Sequence, residues 1–188
     1  MVIKKGYKQT ELGMIPEGWD LLKFDDVFEF LDHKRKPVEE KIRNKMHGEY
    51  PYYGASGIID YVNDYIFDDE LILLGEDGEN IISRNSRLAF KISGKCWVNN
   101  HAHVLKPRND YNVNFLAELL ESLNYEKYNS GTAQPKLNKQ TIAKIKLVIP
   151  SLPEQQMISK NLSDINELIK QLDYLIEKKK NIKQGVMQ

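Results

Sequence analysis

Hydrophobic and polar positions divide the chain into three regimes. Between residues 50 and 110, short apolar runs are punctuated by glycine and turn residues. "YPYYGASGIIDYVNDYIF" is aromatic and β-branched, with Gly54 and Gly57 as breaks. "ELILLGEDGEN" is an apolar run of the buried type that closes on an Asp77–Gly78 turn. "IISRNSRLAFKIS" reads as another strand, interrupted by polar residues, and "KCWVNNHAHVLKP" alternates up to Pro107. Turn signals at this spacing predict a strongly curved or barrel-like sheet.

The second regime is helical. "VNFLAELLESLNYEKY" places Phe115, Leu116, Leu119, Leu120 and Leu123 on one helix face, with Asn112 or Asn114 as its cap. A basic loop then leads into "AKIKLVIP", where Ile145, Leu147 and Ile149 share a strand face. The third regime begins after Pro150 and Pro153. Ile158, Leu162, Ile165, Ile169, Leu172 and Ile176 recur at spacings of four and three, a heptad seam widened by Leu168 and Leu175. A helix from Pro153 to about Gln184 would be roughly 48 Å long. Such a rod cannot bury its seam against so small a domain, so it needs a partner helix.

The N-terminal part is less regular. "GMIPEGWD" has turn chemistry, and Trp19 anchors the start of the globular part. "WDLLKFDDVFEFL" reads as a short strand and a helical turn. "DHKRKPVEEKIRNKMHGEY" is a long polar loop with a helical piece after Pro37; loops of this length in compact domains are more often functional than not. The fold class is therefore α+β: a domain over 1–150 with a mixed, curved sheet and short helices, then a long coiled-coil helix over 151–188.

Charge changes the picture in one respect. Lys plus Arg and Asp plus Glu both number 27, so the total is zero and no nucleic-acid partner is announced by the sum. Locally the charges segregate. Residues 57–80 carry only acids, Asp60 to Glu79, whereas 127–146 carry only lysines. A neutral total can thus hide a basic face opposite an acidic one. One cysteine, Cys96, leaves no internal disulfide and fits a reducing, cytoplasmic setting. "MVIKKGYKQTELG" has no apolar core of a secretion signal, and no apolar run is long enough to span a membrane.

Three stretches resemble the specificity subunits of Type I restriction–modification systems: "YKQTELGMIPEGWDLLKFDDV", "YPYYGASGIIDYVNDYIFDDELILLGEDG" and "SGTAQPKLNKQTIAKIKLVIPSLPEQQMI". Their order, more than any one of them, carries the likeness. The resemblance implies a target recognition domain that reads a DNA half-site, followed by a helical region. In that family such regions pair antiparallel and dock methyltransferase subunits. It implies a chain without catalysis of its own. Modification subunits would methylate adenine with S-adenosylmethionine, and a restriction subunit would cleave using ATP and Mg. Full subunits carry two recognition domains in tandem; this chain carries one, as either a natural half-subunit or a fragment. Two copies joined through Ile158, Leu162, Ile165, Ile169, Leu172 and Ile176 would read a bipartite site, since the symmetry of a dimer is mirrored in its DNA.

Candidate DNA contacts follow from side-chain chemistry. Gln134 suits adenine, Lys136 suits guanine or phosphate, and Thr132 suits phosphate; a structural staple is the other reading of Gln134. Arg84, Asn85, Ser86 and Arg87 form a polar cluster amid strands, with an exposed turn as the alternative. Lys34, Arg35 and Lys36 suit phosphate contact from a mobile loop. Asn99 and His101 lie on a polar strand end. His101 and His103 alternate onto one strand face, which raises the alternative of a metal-dependent nuclease using them with acids of 60–79; the sequence supplies no clear third ligand. A further alternative is a coiled-coil interaction module that does not touch DNA.

Overall fold

In the computed structural model, residues 5–108, 111–131 and 133–186 are described. The fold is the α+β arrangement expected: a curved sheet, short helices and one long terminal helix. β1 (Tyr7–Thr10) and β2 (Gly13–Pro16) form a small hairpin. β3 (Asp20–Lys23) leads through one helical turn, α1 (Phe24–Val27), into β4 (Phe28–Phe30). The polar stretch after it contains α2 (Glu40–Arg43).

The main sheet is completed by β5 (His47–Gly54), β6 (Gly57–Val62), β7 (Phe67–Gly75), β8 (Ala89–Val98) and β9 (Ala102–Pro107). Its strand order is β4-β9-β7-β8-β5-β6. The β5–β8 pair is parallel, with Tyr52 opposite Trp97, and the other neighbours are antiparallel. Strand β7 is central. Leu71, Ile72, Leu73 and Leu74 are all fully buried, as a strand covered on both faces requires. Alternate residues serve alternate cores. Ile72 and Leu74 pack with Phe24, Phe28, Leu116 and Leu120, while Leu71 and Leu73 pack with Ile92, Val98 and Val104.

Of the stretch read as one strand over 81–93, the second half lies in β8, but the first is a helical turn, α3 (Asn80–Ser83), and a loop. Only Ile81 of that turn's apolar residues is buried against the core, and Arg84 adopts a left-handed φ of +51°, which ends the turn. Asn80 then holds the loop, donating to the Ser86 carbonyl at 3.0 Å and accepting from the Ser86 N–H at 2.9 Å.

Helix α4 (Val113–Ser122) is capped by Asn112, whose side chain accepts from the Phe115 N–H at 2.8 Å. After α5 (Lys139–Ile142), β10 (Lys146–Ile149) pairs antiparallel with β3. The chain then enters α6 (Leu152–Val186), 35 residues or about 52 Å of helix. Its start is a made joint. Glu154 accepts from the Ser151 N–H and hydroxyl, as in half of a capping box, and from the Trp19 indole at 3.2 Å. Those contacts, the Ser151 hydroxyl first, hold the Glu154 carboxyl below its ordinary pKa.

Gln155, one turn into the helix, is buried. Its Oε1 accepts from the Asn112 N–H and its Nε2 donates to the Pro150 carbonyl, both at 2.9 Å. One side chain thus ties α6 to the start of α4 and to the end of β10. Gln155→Ala would leave the buried Pro150 carbonyl and the part-buried Asn112 N–H without this partner. It should lower stability by about 2–3 kcal/mol, read as a drop in the urea midpoint. An unchanged midpoint would remove Gln155 from the joint.

Candidate nucleic-acid interface

The end of the sheet where β7 stops at Gly75 and β9 starts at Ala102 collects four loops. They are Asp32–Lys36, Glu76–Gly78, Asn99–His101 and Asn129–Leu137. The last is closed by its own bonds. The Ser130 N–H and hydroxyl both donate to the Lys136 carbonyl, and Asn129 Oδ1 accepts from the N–H groups of Gly131 and Lys136. Glycine is required at 131, because a Cβ there would lie 1.7 Å from the Gln134 carbonyl oxygen. The closed loop is fastened to the sheet end. The Leu137 N–H donates to the Glu76 carbonyl at 2.7 Å, and the Gly78 N–H donates to the Pro135 carbonyl at 3.0 Å.

Beneath the loop lies a charged cluster that alternation in the sequence did not reveal. His103 Nδ1 meets Asp32 Oδ2 at 2.7 Å and its Nε2 meets the Leu137 carbonyl at 2.8 Å. The other Asp32 oxygen accepts from the Val104 N–H at 2.9 Å. Arg35 Nη1 donates to Glu76 Oε2 and to the Ala102 carbonyl, each at 2.7 Å. Lys136 Nζ lies 3.2 Å from Glu76 Oε1. Burial pushes the Asp32 carboxyl up, but His103, the Val104 N–H and Arg35 outweigh it and hold it below its ordinary 3.8. Burial likewise raises Glu76, and Arg35, His103 and Lys136 more than reverse that.

The candidate residues fare differently in this setting. Lys34, Lys36, Gln134 and Lys136 are exposed, and Lys34 lies on the side of Asp69, whose carboxyl it helps Lys106 to lower. Thr132 lies outside the described residues. Arg35 is clamped rather than mobile, with its side chain only 14% exposed. The loop that carries it is pinned too, since the Trp97 indole donates to the Lys36 carbonyl at 2.6 Å. Asn99 is buried and shapes the turn, accepting from the His101 N–H at 2.8 Å. His101 sits in that turn, half-exposed, with Nδ1 2.9 Å from Asp77.

His101 and His103 therefore do not share a face. Both His103 nitrogens are engaged, so it has no lone pair for a metal, and the two-histidine ligand pair is lost. Among the described residues no three His, Cys, Asp or Glu side chains are grouped to hold a metal ion.

Arg84 and Arg87 lie on the α4 side. Arg84 bonds to the Glu121 carbonyl and carboxylate, and Arg87 pairs with Glu118 at 2.7 Å. Between them Asn85 and Ser86 are exposed. Part of the acidic run of the sequence is likewise paired in space. Asp60 meets Arg43, Asp69 meets Lys106 and Glu70 meets Lys91. Interleaving of these strands with basic ones replaces the two-faced charge distribution expected from the sequence.

On α6 the seam is not uniform. Ile158 packs against the domain core, whereas Ile165, Ile169, Leu172 and Ile176 are about half exposed. Leu162, at 37%, lies between the two. The helix leaves the domain within its first three turns. No helix among the described residues is long and apolar enough to cross a membrane.

A family model, the Type I restriction modification DNA specificity domain, matches residues 16–183. The chain belongs to that family. A putative type I restriction enzyme specificity subunit of Haemophilus influenzae is 35% identical over 144 residues, 77% of this chain and 36% of the relative. The MjaVIII specificity subunit of Methanocaldococcus jannaschii is 26% identical over 98% of this chain and 44% of its own length. The chain thus spans well under half of these specificity subunits. The same fold recurs in the S subunit from M. genitalium, with a TM-score of 0.65 and 17% identity over 85% of this chain and 42% of that one. The HsdS subunit from Thermoanaerobacter tengcongensis gives 0.61 and 15% over 89% and 42%.

Within this specificity domain, the cluster under the loop makes a prediction of acid behaviour. Both carboxyls are lowered by folding, so the unfolded chain takes up protons first as pH falls. Their contribution is complete above their ordinary values and is lost as pH falls through the lowered ones. Denaturation midpoints measured from about pH 6 to about pH 3 should drop towards the acid end. Asp32→Asn should remove part of that drop. It should also cost on the order of 3 kcal/mol at neutral pH, because Arg35 and the buried His103 and Val104 donors lose their carboxylate.

Proposed function

We propose that this chain is the DNA-reading element of a Type I restriction–modification complex. It has no chemistry of its own, and it reads one half of a bipartite site. The observation that carries this reading is the fastened loop. In a chain of the DNA specificity family, Gln134 and Lys136 stay exposed on a loop whose two ends are tied to each other and to the sheet end. Lys34 and Lys36 are exposed on the neighbouring pinned loop. Rigid backbone with exposed amide and ammonium groups is what base and phosphate contact requires, because contacts then form without an ordering cost. Asn85, Ser86 and the outer side of Arg87 offer a second contact region beside α4.

Two copies join through the part of α6 that leaves the domain, from Leu162 to Ile176. A stripe of half-exposed isoleucine and leucine on a helix of this length favours a helical partner, and an identical chain supplies a matching stripe. The dimer positions modification subunits, which transfer a methyl group from S-adenosylmethionine to adenine. A restriction subunit with ATP and Mg acts on unmodified DNA. This takes place in the cytoplasm.

Co-expression with the modification subunit encoded beside it, followed by single-molecule mapping of methylated adenines, tests the reading. A symmetric bipartite motif is expected. Methylation at an asymmetric motif would mean that a different half pairs with this chain. A stable complex without methylation would favour the interaction-module reading instead. Separately, Ile169→Asp with Leu172→Asp should convert a dimer to a monomer by sedimentation at micromolar concentration while leaving the domain folded. A wild-type chain that is monomeric there would overturn the pairing.

A further inference from the structure

The reading above leaves open what holds the Ser130–Lys136 loop at a fixed height over the sheet. His103 is on β9, its side chain is 2% exposed, and its ring packs edge-on against Phe30 at 5.6 Å. Its two nitrogens face acceptors only. A backbone carbonyl, that of Leu137, cannot donate. The Asp32 carboxylate is ionised, with its second oxygen taken by the Val104 N–H and Arg35 alongside. A neutral imidazole has one N–H and one lone pair, so it can satisfy one of these acceptors and must oppose the other.

We infer that His103 is a buried imidazolium strut that positions the Ser130–Lys136 loop for DNA. This rests on the reading of that loop as a DNA contact. One N–H is anchored on Asp32, which the sheet holds through Val104. The other reaches up to the Leu137 carbonyl, where the loop ends. The charged groups facing the ring come from each element around it. Asp32 and Arg35 lie in the loop after β4, Glu76 lies after β7 with its Oε2 3.8 Å from Nδ1, and Lys136 lies in the loop itself. A hydrogen bond donated by a charged group is stronger than a neutral one. His103 touches no DNA in this arrangement. It acts through Leu137 on Gln134 and Lys136.

The first test needs no variant. The full chain labelled with 15N-histidine should show directly bonded protons on both ring nitrogens of His103 at neutral pH. A bare Nδ1 would overturn the imidazolium. The second test compares wild type with His103→Gln, which is neutral and cannot hold both acceptors. Hydrogen exchange at the amides of Ser130, Lys136 and Leu137 should quicken about tenfold or more. The β7 amides, such as that of Leu73, should keep their protection. Unchanged loop exchange in a folded His103→Gln chain would overturn the positioning role, whatever happened to DNA binding. In the assembled methyltransferase complex, His103→Gln should weaken DNA affinity. Lys136→Gln should weaken it without quickening exchange at Ser130. If Lys136→Gln leaves affinity intact, the loop is not a DNA contact. Exchange in His103→Gln then decides the positioning role by itself.

Discussion

Two carboxylates, Asp32 and Glu76, are drawn out of water at one end of the sheet, and the surrounding loops are arranged to answer them. A buried charge without a partner costs several kcal/mol, so each carboxylate dictates what must come near it. Asp32 demands His103 and the Val104 N–H. Glu76 demands Arg35 and Lys136. The two carboxylates and these partners come from separate parts of the chain: the loop after β4, the residue that follows β7, the start of β9 and the basic loop before α5. Satisfying two charges therefore fixes three loops relative to one another and to β9. The same requirement explains why a stretch rich in lysine can be rigid. Its closing bonds run between backbone groups, Ser130 and Asn129, and its attachment runs through Pro135 and Leu137, with the Lys136 ammonium on Glu76 as the one lysine contact to the cluster beneath it.

The second constraint is the joint at Gln155. A helix of 35 residues projecting from a small domain would swing if it were joined by backbone alone. Gln155 bonds to the start of α4 and the end of β10, and Glu154 holds Trp19 near the start of β3. Three segments of the domain thus grip the first turn, Ile158 adds an apolar contact in the second, and the remainder of α6 projects. A rigid joint makes the helix a fixed-length spacer, which matters only if something at its far side has to be held at a set distance from the loops.

The heptad spacing from Ile158 to Ile176 was legible because periodicity is a local property, and so were the buried run at Leu71–Leu74 and the Asn112 cap. The first half of the stretch read as one strand over 81–93 was not. Its two isoleucines satisfy a strand pattern as readily as a helical turn, and the deciding contacts, Arg84 and Arg87 with Glu121 and Glu118, come from a helix more than thirty residues later. The site divides along the same line. Gln134 and Lys136 stand out as candidates from their chemistry in a glycine loop, and both are exposed. Asp32 and Glu76 could not, since an acid in a polar stretch looks like solvated surface until the fold places a histidine beside it. The H-x-H spacing misled for a related reason: β9 begins between the two histidines, so His101 belongs to a turn and His103 to the core.

The neutral total charge then acquires a physical sense. In many DNA-binding proteins attraction to phosphate comes from unpaired lysine and arginine, and it is largely independent of sequence. Here Arg35, Arg43, Arg84 and Arg87 are all committed to carboxylates within the chain, as are Lys91 and Lys106. What remains exposed near the fastened loop is a few lysines and a glutamine. A surface so composed has little general pull on DNA, and it discriminates by position more than by charge. On the reading proposed above, that division is useful. A reading head with weak non-specific affinity would not trap such a complex on arbitrary sequence.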